Sequence, residues 1–183
     1  MKNNLIPAIR LTLVCLVFFC GIYTLTVYGI SKLAPSNLTF NKTEKGFYEN
    51  VGQSFTSDKY FNSRPSAVGY NAAGSGGSNK GPTNPDYLAE LQARIDTFLV
   101  RNPDIKKEDI SSDLVTASGS GIDPNISVQA AKVQVKRIAK IRNIKESTIN
   151  QIVEKKKKKP LLGLFGTEKT NVLKLNLALD NLK

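Results

Sequence analysis

The run Leu11–Ser31, LTLVCLVFFCGIYTLTVYGIS, contains no Asp, Glu, Lys or Arg, and Arg10 and Lys32 bracket it. At 1.5 Å per residue these 21 residues make a helix of about 31 Å, close to the hydrocarbon thickness of a bilayer. The competing reading is a cleaved signal peptide, with Lys2 and Arg10 as its positive region. Signal cores run about 7–15 apolar residues, and this one is longer. A lipoprotein signal needs a small residue before the modified cysteine, but Cys15 follows Val14 and Cys20 follows Phe19. The sequence therefore predicts an uncleaved transmembrane helix. Thr12, Cys20, Gly21, Thr24 and Thr26 give it the small and hydroxylated patches on which membrane helices pack closely.

Outward from the helix, the charge flanks are nearly balanced. Lys2, Arg10 and the amino terminus lie on one side, and Lys32, Lys42 and Lys45 on the other. A short tail ordinarily stays inside while a long following domain crosses. The expectation is a cytoplasmic tail (1–10), a single span (11–31) and an extracytoplasmic domain (32–183) at the cell inner, or plasma, membrane. The expected fold class is α+β: one N-terminal transmembrane helix followed by a single compact domain of helices and a small sheet.

Composition removes several chemistries. The chain has no His, which excludes imidazole bases, Ser-His-Asp triads and His-ligated zinc. Its two cysteines both lie in the span, so the soluble part has no disulfide. No catalytic group, metal site or cofactor of its own is expected. The net charge of +11 is concentrated after residue 127, where 14 basic residues face 4 acidic ones. Such a surface suits anionic lipid, nucleic acid or an acidic protein face, or simply water. Phe165 is the only aromatic after Phe98, so base stacking has no platform and nucleic acid is an unsuitable partner.

Residues 34–83 read as extended chain and turns. Asn84-Pro85-Asp86 then starts a helix as N-cap, first turn and dipole partner, with Leu88, Leu91, Ile95, Phe98 and Leu99 on one face and Asn102-Pro103 as the stop. Asp113–Ala117 reads as a short strand. A second helix follows Ser127, with Val128, Ala131, Val135 and Ile138 inward and Lys132, Lys136 and Lys140 as a basic ridge. A third spans about Glu146 to Glu154. Lys155–Lys159 reads as a solvated loop, which would bind lipid if it faced a cytoplasmic leaflet. Leucine at every second position from Leu173 to Leu179 reads as a strand buried on one face, with a helical end as the alternative.

Three features are candidate binding sites. Ser75, Gly76, Gly77, Ser78 and Asn79 form a glycine-rich stretch. It fails as a phosphate loop, because Lys80 lies between Asn79 and Gly81 instead of between Gly and Ser/Thr. Ser118, Ser120 and Asp123 sit in a second Gly-rich loop before a helix, where backbone and hydroxyls could cradle an ion or merely make a tight turn. Gln134 offers a neutral amide to a ligand or partner, or to water.

Six segments in order resemble the C subunit of the Kdp-type potassium-transporting P-type ATPase. They are Gly52-Gln53-Ser54-Phe55; Tyr60-Phe61 with Arg64-Pro65-Ser66-Ala67; Tyr70-Asn71-Ala72; Ser75–Asn79 with Thr83-Asn84-Pro85; Leu114–Asp123 with Ile126-Ser127; and Asn171–Asp180. Thr43–Val51 and the five lysines depart from the family pattern. The resemblance implies an accessory, non-catalytic subunit of a high-affinity potassium uptake complex. Implied partners are a channel-like potassium-translocating subunit, a P-type ATP-hydrolysing subunit and a small membrane peptide, besides the lipid bilayer. ATP and K+ would be handled by the complex, and this subunit would stabilise it and raise the ATP affinity of the catalytic subunit. Ser75–Asn79 and Gln134 are the first positions to test under that reading. A membrane-anchored ligand-binding or surface module, using Ser118–Asp123, is the rival.

Overall fold

The computed structural model describes residues 2–33 and 46–182. Residues 34–45 of the expected extended stretch, with Lys42 and Lys45, lie outside the described residues. The described chain falls into two compact units, divided between residues 41 and 42.

The first unit is one continuous helical rod. It runs as α1 (Lys2–Leu16), a π-helical segment (Val17–Tyr23) and α2 (Thr24–Leu33). Residues Asn4–Leu33 reach a mean hydropathy of 2.3 over their most apolar stretch, long enough to cross a bilayer, and none of that stretch is buried within the chain. The hydroxyls on this rod bond back to its own carbonyls. Thr12 Oγ1 donates to Ala8 O (2.9 Å), Thr24 Oγ1 to Gly21 O (3.0 Å), Thr26 Oγ1 to Ile22 O (2.7 Å) and Ser31 Oγ to Tyr28 O (2.7 Å). In hydrocarbon an unbonded hydroxyl would cost several kcal/mol, on the order of a lost buried hydrogen bond, so this pairing fits a lipid environment.

The second unit mixes helices with a small sheet. Its elements are α3 (Pro85–Arg101), β1 (Asn125–Ser127), α4 (Val128–Lys132), α5 (Val135–Arg142), α6 (Glu146–Lys156), β2 (Lys157–Lys158), β3 (Lys169–Asn171) and α7 (Val172–Asp180). The sheet is antiparallel in the order β1-β3-β2, with Ile126 opposite Thr170 and Lys158 opposite Lys169. Phe61, Ile126, Ile138, Ile149, Val153, Val172, Leu175 and Leu179 form the centre of the core, each almost fully buried.

The first long helix of this unit starts and stops as its sequence dictates. Asn84 Oδ1 accepts the Tyr87 N–H at 3.0 Å, Pro85 opens the first turn, and Asn102 closes the last. Only Phe98 of its apolar face is fully buried, while Leu91 and Ile95 pack at the core margin and Leu88 stays exposed.

Three expectations are corrected. Asp113–Ala117 is not a strand. Ser112–Leu114 makes a 3-10 turn because the Asp113 carboxylate turns aside to accept the Ser127 N–H (2.6 Å), and Thr116 bonds Ser112 O through both N–H (2.9 Å) and Oγ1 (2.8 Å). Residues Leu173–Leu179 are helical: Asn171 Oδ1 caps the Lys174 N–H at 3.0 Å. Val172, Leu175, Asn176 and Leu179 then share one buried face at i, i+3, i+4 and i+7. The alternating leucines satisfied both periods, and the cap with that buried face selected the helix. Lys155–Lys159 is not a solvated loop. Lys155 and Lys156 finish α6, and Lys157-Lys158 is strand β2, where the extended backbone sends successive ammonium groups to opposite faces. Lys157 is neutralised by Glu154 (3.0 Å) and Glu168 (3.3 Å).

The helix after Ser127 also breaks in two. Ser127 Oγ caps the Ala130 N–H at 3.0 Å as expected. At residue 134 the backbone tightens, and the Gln134 N–H bonds Ala131 O at 3.1 Å, three residues back. Of the basic ridge, Lys132 pairs with Glu154 (2.9 Å) and Lys136 with Asp104 (3.2 Å).

Candidate interaction site at two interlocked loops

The two glycine-rich loops are distant in sequence and adjacent in space. Gly76 N–H donates to Ser120 O at 2.9 Å, and Ser75 Oγ donates to the same carbonyl at 3.0 Å. Ser118 N–H donates to Pro65 O at 3.1 Å, and Gly52 N–H to Ile122 O at 2.6 Å. Ser66 Oγ donates to Gly121 O while accepting the Tyr70 N–H at 2.9 Å, so one hydroxyl ties the 118–123 loop to the 66–70 turn. The approach is close enough to demand glycine. At Gly121, whose φ is +69°, a Cβ would stand 2.5 Å from Val68 Cγ2 and 2.7 Å from Gly76 O.

Asp123 closes this arrangement. Its Oδ1 accepts the Asn125 N–H at 3.0 Å, and its Oδ2 lies 3.3 Å from Arg64 Nη1. Beside this pair opens a polar groove of about 270 Å³, lined also by Ser111, Asp113, Ser127, Glu168 and Lys169. The carbonyls of Ser120, Gly121 and Ile122 are all taken within the fold. The loops thus make a stiff polar surface, with Ser78 and Asn79 exposed on it, and Ser118 is buried beneath.

Gln134 belongs to a different centre. It is fully buried, and both ends of its amide are engaged: Oε1 accepts Asn62 N–H (2.8 Å) and Arg137 Nη2 (2.9 Å), and Nε2 donates to Ala130 O (3.0 Å). The side-chain N–H thus bonds the carbonyl four residues back that its backbone N–H gave up at the helix break. Arg137, unremarked in the sequence, is the hub. Its guanidinium also donates to Tyr60 O (3.1 Å), Asn62 Oδ1 (3.1 Å), Asn102 Oδ1 (3.0 Å) and Asp58 O. Burial pulls its pKa down to about 10, against the opposing pull of the Asp58 carboxylate, so it remains a cation at neutral pH. A concavity of about 230 Å³ beside this hub is lined by Arg101, Lys136, Arg137, Lys140 and Ile141, and Gln134 does not reach it. An arginine on an amphipathic helix carries no sequence sign that it will be buried.

The family profile described as "KdpC: K+-transporting ATPase, c chain" matches residues 5–181. The chain belongs to the KdpC family. A Potassium-transporting ATPase KdpC subunit of Flavobacterium psychrophilum is 50% identical over 186 residues, covering 99% of this chain and 100% of the relative. That of Bacteroides fragilis is 50% identical over 189 residues, covering 99% and 98%. That of Caldanaerobacter subterraneus is 42% identical over 189 residues, covering 98% and 95%. In this KdpC chain the segments that carried the resemblance are joined to each other. Gly52, Pro65 and Gly76 bond the 118–123 loop. Phe61 N–H and O are both held by the Asn176 amide, at 2.8 and 3.0 Å. Segments of the KdpC pattern thus fasten the irregular 46–83 stretch to the 118–123 loop and to α7.

Proposed function

We propose that this chain is the accessory, non-catalytic subunit of a high-affinity, ATP-driven potassium uptake complex. The observation that carries this is its end-to-end similarity, at about half identity, to proteins named Potassium-transporting ATPase KdpC subunit. The exposed apolar helix supports single-pass anchorage in the inner membrane. The amino terminus is assigned to the cytoplasm and the 46–182 unit to the outside. Its partners are the channel-like potassium-translocating subunit, the ATP-hydrolysing subunit and the small membrane peptide, whose assembly it stabilises.

The same subunit acts as a catalytic chaperone that raises the ATP affinity of the hydrolysing partner. With the domain outside and ATP inside, that effect is a coupling free energy relayed through partner subunits, not a nucleotide contact. ATP and K+ are handled by the complex. The stiff surface around Ser75–Asn79 and Ser118–Asp123 is the partner-facing candidate, and Gln134, in its separate buried centre, holds the Arg137 hub.

The test is affinity purification of the tagged full chain in mild detergent, followed by ATPase assays with and without it. Two large membrane partners should co-purify, and omission of the chain should raise KM for ATP. A chain that migrates alone, together with normal growth at very low potassium of a deletion strain that lacks another high-affinity uptake system, overturns the assignment.

A further inference from the structure

Between β2 and β3 the chain makes a hairpin whose tip carries Leu161, Leu162, Leu164 and Phe165, exposed by 70%, 81%, 81% and 64%. The tip pairs part of its own backbone. Leu161 N–H donates to Phe165 O (2.9 Å), Phe165 N–H to Leu161 O (3.0 Å) and Gly163 N–H to Pro160 O (3.1 Å). Leu162 and Gly163 are both left-handed, at φ +55° and +74°. A leucine held in that sparsely populated region while open to water contributes little to folding, and such outliers gather at sites of function. The end of α6, strand β2 and the residue after it lead into the tip and carry Lys155, Lys156, Lys158 and Lys159, all exposed and without an ion pair among the described residues, while Glu154 and Glu168 pair with Lys132 and Lys157.

We propose that this hairpin is a second membrane contact, its apolar tip entering the headgroup boundary and its lysines meeting anionic phospholipid of whichever leaflet the second unit faces. Three observations favour lipid over a protein groove. Apolar side chains flanked by a lysine cluster are the composition of interfacial membrane elements, whereas protein interface cores are depleted in lysine. The pairing of Leu161 with Phe165 and the Gly163 N–H bond reduce the number of backbone groups that the headgroup boundary must satisfy. The covalent path through residues 34–45 limits the Leu33-to-Gly46 separation to about 45 Å, so anchorage of the N-terminal helix raises the effective concentration of the second unit at a bilayer surface. The proposal needs the N-terminal helix to be in the membrane but does not depend on the potassium-pump assignment.

The chain contains no Trp, so Leu164→Trp in the full-length protein supplies a single indole at the tip. The variant is reconstituted into vesicles of phosphatidylcholine alone or mixed with phosphatidylglycerol, each with and without brominated acyl chains. With phosphatidylglycerol present, the emission should shift to the blue and be quenched by the brominated chains. Lys158→Gln and Lys159→Gln should each lower the docked-to-undocked ratio of the tip about fivefold, as should raising the salt. Phe165→Trp is the second probe and should report the same. Water-like, unquenched emission from both probes in phosphatidylglycerol vesicles overturns the proposal. Shielding that appears only with pump subunits present, without quenching by brominated lipid, assigns the hairpin to a protein partner and also overturns it. Failure of the chain to co-purify with a pump would leave these readings unchanged.

Discussion

Arg137 Nη2 donates to Gln134 Oε1 across 2.9 Å, one helical turn apart, and both side chains are buried. This pair joins the break between α4 and α5 to the irregular segment around Asp58–Asn62. Removing the cation strands several acceptors in the interior, and each unsatisfied group costs about 1–3 kcal/mol. Arg137→Leu should therefore destabilise the chain by about 3–5 kcal/mol. Gln134→Leu should cost about 2–3 kcal/mol, and Gln134→Glu less, because a carboxylate still accepts from Asn62 and Arg137. Urea denaturation of the detergent-solubilised chain ranks the three variants.

Glycines in the interlocked loops should separate into two groups. Gly121→Ala places a Cβ against Gly76 O in a left-handed backbone and should cost about 2–4 kcal/mol. Gly119→Ala, two residues away, meets nothing within 4 Å. It should change stability by less than about 0.5 kcal/mol. Equal effects in thermal melts would mean that the loops are not packed as described.

Acid should loosen the junction of α6 with the sheet. Hydrogen bonds from Lys132 and then Lys157 hold the Glu154 carboxyl below the ordinary glutamate range. A carboxyl with a depressed folded pKa adds stability that is present above its unfolded value and fades as pH falls through the folded one. The melting temperature should thus decline below the ordinary carboxylate range, and Glu154→Gln should flatten that decline while lowering stability at neutral pH. Melting curves across acid pH for both proteins check it.

Sidedness can be read chemically. Ser78 is exposed on the loop surface, so Ser78→Cys should react with a membrane-impermeant maleimide on intact spheroplasts. Cys15 and Cys20, on the apolar rod, should stay unlabelled until the membrane is dissolved. Labelling of Ser78→Cys only after lysis would place the domain inside and remove the need for coupling through partner subunits.

Local signals were legible where one residue's chemistry sufficed. The apolar run marked the rod, and Asn84, Ser127 and Pro85 marked helix starts, since caps and fixed backbone angles act within a few residues. The glycine-rich loops stood out as candidates, but not their mutual bonding across forty residues. The tip at Leu161–Phe165 was visible only as apolar residues between Pro160 and Gly166.

The amino-acid sequence by itself determined that this chain carries a lipid-length helix, lacks imidazole, keeps both cysteines within that helix, and holds its positive charge near the carboxy end. These follow from composition and from interactions no longer than one helical turn. Tertiary structure alone decided that alternating leucines coil, that two lysines enter a sheet, and that Arg137 and Gln134 turn inward. Each of those outcomes depends on an acceptor, a cap or a packing face supplied by a remote segment, and no local pattern encodes the arrival of such a partner.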